Sequence, residues 1–166
     1  MSAKPYTYVT LSIRAMVLLA TFASLRRAEI SALRRMDVDL VARTVRVRVA
    51  FVERSTGGLV LGPPKCRAGR RTVGIPESIV AILKEHLDIY VKDEPGALMF
   101  PGAKGGPLRR SGFNTRTRWV DVVKDMGLAR LHFHDLRHTG NMFAAESGAG
   151  LKDLMAAWVM TTSERP

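Results

Sequence analysis

The run Leu131-His132-Phe133-His134-Asp135-Leu136-Arg137-His138-Thr139-Gly140 places imidazoles, a carboxylate and a guanidinium in barely two helical turns. A Gly127-Leu128 break precedes it, and an apolar stretch through Met142, Phe143 and Ala144 follows. Written on a helix, His134, Arg137 and His138 stand at i, i+3 and i+4, so their side chains leave from one face and converge on one ligand. Such a basic face suits a phosphate. The guanidinium offers a rigid fork of donors, an imidazole gives or takes a proton near neutral pH, and a helix start adds backbone N–H groups. Asp135 in the first turn complements the helix dipole. Two other readings stay open on these residues: a helix start whose histidines cap or pack, and a zinc site built from His132, His134 and His138. Against zinc, no cysteine or carboxylate array completes a shell, and Arg137 repels a cation.

Outward from that run, the chain is 166 residues with 46% hydrophobic composition, which suits one domain with a buried core. Its formal charge is +11 and its sequence pI about 10.7. A solvated surface does not need that excess and a polyanion uses it, so nucleic acid is the expected partner. Cys66 is the single cysteine, which excludes an internal disulfide and suits a reducing, cytoplasmic setting. The apolar run over residues 15–24 has the look of a signal peptide, with Lys4 and Arg14 before it. It flows straight into Arg26-Arg27-Ala28-Glu29 and is too short to span a membrane, so a buried helix is expected instead.

A second arginine cluster, Ser24-Leu25-Arg26-Arg27-Ala28-Glu29-Ile30, is followed by Leu33 and Asp37-Val38-Asp39-Leu40. The period then changes. Val45, Val47 and Val49 alternate with Arg46 and Arg48, which predicts a half-buried strand with a basic outer face. Residues 58–61 and 71–75 read as further strands of one small antiparallel sheet, with turns at Ser55-Thr56-Gly57 and Ala68-Gly69. Between them, Pro63-Pro64-Lys65-Cys66-Arg67-Ala68-Gly69-Arg70-Arg71 reads on composition as a solvated hairpin tip. Pro76 opens a helix whose Ile79, Leu83, Leu87 and Tyr90 face the core. A Gly/Pro-rich loop follows, with Leu98-Met99-Phe100 as an apolar insert. Ser111 then caps a helix that buries Phe113 and Trp119 and turns Arg110, Arg116 and Arg118 outward. Basic helices separated by a loop also suggest a helix-turn-helix regulator, but the Gly127 break lacks the short-turn geometry.

Taken together, His134-Asp135-Leu136-Arg137-His138-Thr139 resembles the HxxR box of the tyrosine recombinases, the phage integrase family, and the Ser24–Ile30 cluster resembles that family's first arginine box. The two boxes occur in the family's order, and the likeness runs from about Ser12 to Ala157. Ser24 stands where the family usually has a glycine. The resemblance implies an α+β fold, mainly helical with a small antiparallel β-sheet. It implies DNA strand cleavage and rejoining through a tyrosine nucleophile, with no metal and no cofactor. Arg26 and Arg137 would hold the scissile phosphate, Lys65 would protonate the leaving oxygen, and His134 would move a proton on the attacking side. Glu29, Asp135 and His138 would support them. Arg26, not Arg27, occupies the family's position in Leu-Arg-x-x-Glu. The implied partners are double-stranded DNA and intact recombinase protomers, with no membrane and no small-molecule substrate.

Past Met155 the pattern departs from the family. Where the family has a Leu-Gly-His type box and then its tyrosine, the chain reads Ala156-Ala157-Trp158-Val159-Met160-Thr161-Thr162-Ser163-Glu164-Arg165-Pro166. The tyrosines are Tyr6, Tyr8 and Tyr90, none at the matching place. Codons for residues 157–160 are readable in a shifted frame as Met-Gly-His, so a frameshift near Ala156 is one expected origin; a Trp158 in place of the third histidine, with a tyrosine from another chain, is the other. The expectation is a single, incomplete catalytic domain over residues 1–166, without the family's N-terminal core-binding domain. Whether it is an enzyme is left open between a catalytically incompetent recombinase domain and a non-catalytic DNA-binding remnant.

Overall fold

The computed structural model describes residues 6–63 and 70–146. Helix α1 (Tyr6–Phe22) is the run with the look of a signal peptide, and it lies inside the fold: Ala15, Met16, Leu19 and Ala20 are buried at i, i+1, i+4 and i+5. Among the described residues no helix is long and apolar enough to cross a membrane. The helix ends without a glycine. Ala23 and Leu25 both donate their N–H groups to the Leu19 carbonyl, at 3.1 and 3.5 Å, and Ser24 between them takes the left-handed conformation at φ 50. That backbone explains the family's preference for glycine here, since a Cβ in this region costs of order 1 kcal/mol. A short helix α2 (Arg27–Ile30) follows.

Two small sheets come next where one is expected. Strands β1 (Val38–Asp39), β2 (Thr44–Val47) and β5 (Arg71–Gly74) form an antiparallel sheet in the order β1-β2-β5, while β3 (Ala50–Glu53) and β4 (Leu59–Gly62) form a separate hairpin. Val45 and Val47 are buried and Arg46 is exposed, as the alternation requires. The strand stops before Arg48 because that guanidinium leaves the ladder. Its Nε donates to the buried Asp37 carboxylate at 2.6 Å, and Asp37 also accepts the Arg34 N–H at 2.9 Å.

Helix α3 (Glu77–Tyr90) buries Ile79, Leu83 and Leu87 as predicted, and it also buries His86; Tyr90 is only half-buried. The Gly/Pro-rich segment after it is anchored on residues 33–36: Met99 donates to the Leu33 carbonyl at 2.9 Å and Arg35 to the Ala97 carbonyl at 2.9 Å. Met99 and Phe100 thereby join the core with Met16, Leu19, Val45 and Leu83. The expected single helix after Leu108 is two, α4 (Arg110–Thr117) and α5 (Trp119–Asp125), parted by Arg118 at φ 48. Ser111 is not its cap, because the helix already starts at Arg110. Arg109, the capping position, sends its guanidinium to the Gly57 carbonyl of the β3–β4 turn at 2.9 Å. Helix α6 (Asp135–Glu146) closes the described chain and lies along α1.

The contact between α1 and α6 depends on Gly140. A Cβ there would fall on the Thr21 carbonyl oxygen, a backbone atom that cannot swing aside. In an open helix Gly→Ala stabilises by roughly 0.5–1 kcal/mol. Here we expect the opposite sign: Gly140→Ala should destabilise by an amount at the top of the roughly 1–3 kcal/mol range for overpacking, read as a lower urea midpoint. A midpoint raised by the alanine would show that the helices are not in contact at this point.

His86 generates a pH prediction. Burial pushes its pKa down, and the hydrogen bond to the Met99 carbonyl offsets this only in part. The folded state therefore binds fewer protons than the unfolded chain between the lowered value and about 6.5. Stability is full above that window and falls as pH drops below about 6.5, by at most roughly 1.4 kcal/mol per unit. Urea midpoints measured between pH 7.5 and 5.5 should decline, and His86→Leu should flatten the decline.

Candidate anion-binding site

Arg26 lies at the start of α2 in extended backbone, φ −76 and ψ 149, and its N–H donates to the Glu29 carboxylate at 2.8 Å. Glu29 is 2% exposed. A carboxylate this far from water needs partners, and a guanidinium from the sheet supplies them. Arg71 of β5 reaches Glu29 with both terminal nitrogens, Nη1 to Oε1 and Nη2 to Oε2, each at 3.0 Å. Arg26 Nη1 adds a longer contact to Oε1 at 3.4 Å. Burial raises the Glu29 pKa, but the Arg71 hydrogen bonds and charge, with the Arg26 N–H, outweigh it and leave the carboxyl below its ordinary range.

Arg71 is the site residue that sequence reasoning misses. By composition it belongs with the charged turn before it, yet a signal is present in the strand period. Arg71 pairs with Val47 and Val73 with Val45, so Arg71 falls on the face that β2 turns inward. Its side chain is 6% exposed. An inward arginine implies a buried anion, and the sequence does not say which carboxylate that is.

Arg137 lies in the first turn of α6. Burial first, then the positive charges of Arg26 and Arg71, pull its pKa below the ordinary guanidinium value, while Glu29 pushes it up. The structure therefore brings Arg26 and Arg137, far apart in sequence, within electrostatic reach of each other. Arg26 and Arg71 pair with the Glu29 carboxylate and Arg137 stands in electrostatic range of them, so the group carries two formal positive charges in excess. Arg26 keeps about half of its side chain exposed, so this excess faces solvent.

The segment before α6 is held by an aromatic cluster. Phe133 meets Phe113 at 4.9 Å and Trp119 at 5.6 Å between ring centres, and the Trp119 indole N–H donates to the Leu131 carbonyl at 3.0 Å. Asp135 accepts the His132 N–H at 2.7 Å while its own N–H returns to the His132 carbonyl at 2.9 Å, a reciprocal cap that starts the helix. Consequently His134 lies in the turn just outside α6, not within it as expected. It still shares a face with His138, the two exposed rings meeting edge-on at 5.4 Å. His132 does not complete a metal-sized cluster with them among the described residues. Lys65, Trp158 and the residues about them lie outside the described part of the chain.

Arg27 lies near Arg110 and Glu53. Burial and the charge of Arg110 lower its pKa, and Glu53 raises it. A groove of about 580 Å³ runs between α2, the β3–β4 hairpin and the start of α4, with Arg26, Arg27, Arg109 and Arg110 along it.

The Glu29–Arg71 pair can be tested for stability alone. Removing one partner of a buried ion pair strands the other, so Glu29→Leu or Arg71→Met should each cost roughly 3–5 kcal/mol, whereas the double variant should recover most of it. Equal losses that simply add, measured by urea unfolding, would mean that the two side chains are independent. The pair also carries an acid limit: its contribution is present above about pH 4.3 and is lost as pH falls through the lowered carboxyl value.

The model of the phage integrase family matches residues 2–158. The chain is 34% identical over 142 residues to a putative prophage phiRv2 integrase of Mycobacterium tuberculosis, covering 86% of this chain and 38% of that protein. It is 32% identical over 152 residues to the integrase of Mycobacterium phage FRAT1, covering 90% and 45%. It thus spans about two fifths of the length of these curated relatives. Among solved structures, its fold is similar to the Tn1549 transposon integrase in complex with a circular intermediate DNA, with TM-score 0.72 and 16% identity over 99% of this chain and 58% of that one. It is similar also to XerA recombinase, with TM-score 0.61 and 19% identity over 99% and 60%. With a family match over nearly its whole length and both arginine boxes in order, the chain belongs to the phage integrase family of tyrosine recombinases and has the α+β fold of their catalytic domain.

Proposed function

We propose that these residues form the phosphate-holding part of a DNA strand-exchange site, with the attacking tyrosine supplied from outside the 166 residues. The observation that carries this reading is the pairing of Arg26 and Arg71 with the buried Glu29 carboxylate, with Arg137 in electrostatic range of all three. In this reading Arg26 and Arg137 take the two non-bridging oxygens of a phosphodiester and offset the charge that builds in the pentavalent transition state. Arg71 and Glu29 do not touch the phosphate; they position Arg26. His134, exposed beside Arg137, assists the proton at the attacking oxygen, with Asp135 and His138 fixing the turn that presents it. Lys65 gives a proton to the departing 5′ oxygen. Phosphorus exchanges its bond to that oxygen for one to a phenolic oxygen, so the phosphodiester energy is kept in a phosphotyrosine link. No metal or nucleotide cofactor enters.

The tyrosine placement favours a second reading, a DNA-binding domain without cleavage of its own. Tyr90 packs on His86 at the end of α3, with ring centres 5.4 Å apart, and Tyr6 and Tyr8 lie in the first turn of α1. A nicked suicide duplex incubated with this chain and an intact recombinase protomer that supplies the tyrosine separates the two. Cleavage that is lost with Arg26→Ala or Arg137→Ala in this chain supports the first reading, a retarded complex whose cleavage is indifferent to those changes supports the second, and an adduct formed by this chain alone would overturn both.

Binding itself should fall steeply with salt, since each phosphate neutralised by the protein adds about 0.9 to the steepness of log K against log salt concentration. Each charge-assisted hydrogen bond contributes roughly 1.5–3 kcal/mol. Arg26→Ala and Arg137→Ala should therefore each weaken duplex binding by about tenfold or more and flatten the salt slope. Unchanged affinity and slope in both variants would place the phosphate elsewhere.

A further inference from the structure

The sequence sets Arg27 directly after Arg26, and only the first of the two has a part in holding the scissile phosphate. Arg27 is half-buried on the wall of the groove of about 580 Å³ between α2, the β3–β4 hairpin and the start of α4. Among the described residues its side chain makes no hydrogen bond and no ion pair, and the same holds for Arg110 on the same groove. A guanidinium partly withdrawn from water with no acceptor for its fork of N–H donors is unfavourable by itself.

The charges around it add to the cost. Arg110 repels Arg27, and Glu53 attracts it. Glu53 also serves Arg109, 3.9 Å away, whose guanidinium is fastened to the Gly57 carbonyl at 2.9 Å. Glu29, the other carboxylate on the groove, is taken up by Arg71. Four arginines, Arg26, Arg27, Arg109 and Arg110, thus face two carboxylates along the groove, an excess of two formal positive charges. No acidic residue stands in the first turn of α4 to offset the arginines at its positive end. What is missing from this arrangement is an anion.

We propose that the groove takes a second DNA backbone phosphate, next along the strand from the one assigned to Arg26 and Arg137, and that Arg27 and Arg110 share it. This inference rests on the phosphate reading of Arg26, which lines the groove and also touches Glu29, and so joins the two places. Continuity with Arg26 favours a nucleic-acid strand over an acidic peptide. So does the composition of the walls: Phe51 and Leu59 offer an uncharged sugar an apolar surface between the arginines. The volume suits a nucleotide-sized group better than a lone ion.

The test is the affinity of the full chain for a labelled DNA duplex, measured across a range of salt concentrations. Arg27→Gln and Arg110→Gln should each weaken binding about tenfold at fixed salt. Because they share one phosphate, the double variant should lose less than the product of the single effects and should flatten the salt slope by about 0.9. Lys84→Gln, which removes one exposed charge from α3 outside the groove, should leave binding nearly unchanged. An equal loss with Lys84→Gln would make the effect one of bulk charge, and a slope change of about 1.8 in the double variant would mean two separate phosphates. Binding of hexaglutamate that the double variant abolishes, with duplex affinity untouched, would give the groove to an acidic peptide. Each of these overturns the proposal. Failure of the Arg27 and Arg110 variants to weaken binding, while Arg26→Ala and Arg137→Ala still do, would overturn this inference alone; failure of all four would remove the phosphate reading beneath it. Arg110 is exposed, so its variant gives an answer even where loss of Arg27 disturbs folding.

Discussion

The carboxylate of Glu29 is the fastening on which the arrangement depends. Buried at the end of α2, it would be intolerable alone, and the two-pronged contact from Arg71 joins the helical part of the chain to strand β5 across 42 residues of sequence. That contact in turn requires the β2–β5 register that puts Arg71 opposite Val47, on the inward face. A slip of one residue would turn Arg71 to solvent and leave Glu29 unpaired, so register and ion pair specify each other. The same carboxylate holds the Arg26 N–H, which sets where the first arginine of the cluster begins.

Packing then does what electrostatics opposes. Bringing Arg137 towards Arg26 and Arg71 is unfavourable in charge terms, and burial of its guanidinium adds to the cost. The offset comes from the close seating of α6 on α1 at Gly140 and from the Phe113–Trp119–Phe133 cluster, which anchors the segment ahead of α6. In the proposed reading, like charges held together by a core preorganise the site for a phosphate, since the reorganisation is completed during folding. Ser24 serves the same end. A strained left-handed residue turns the chain out of α1 just ahead of Arg26.

Several features are legible in the sequence because they are local. The i, i+3, i+4 spacing of His134, Arg137 and His138 anticipates a shared face, the Val45–Val47 alternation anticipates a half-buried strand, and Gly127 anticipates a break, which it makes at φ 76. What escapes is governed by partners distant in sequence. Strand β3 is hidden because no turn residue separates it from β2; the interruption is Arg48 reaching for Asp37. The division between α4 and α5 falls at Arg118, a left-handed residue that no glycine or asparagine announces. His86 sits on the predicted core face of α3, but an imidazole there says nothing of which nitrogen is bonded until Met99 is found against it.

The amino-acid sequence by itself determined the family, the basic character and the two arginine boxes, because short-range spacing and composition are properties of the chain whatever its path. Only the tertiary structure decided that Glu29 is buried, that Arg71 is its partner and that Arg137 is drawn to the same place. Those facts depend on desolvation and on contacts between residues dozens of positions apart, and neither is encoded in any local window of the sequence.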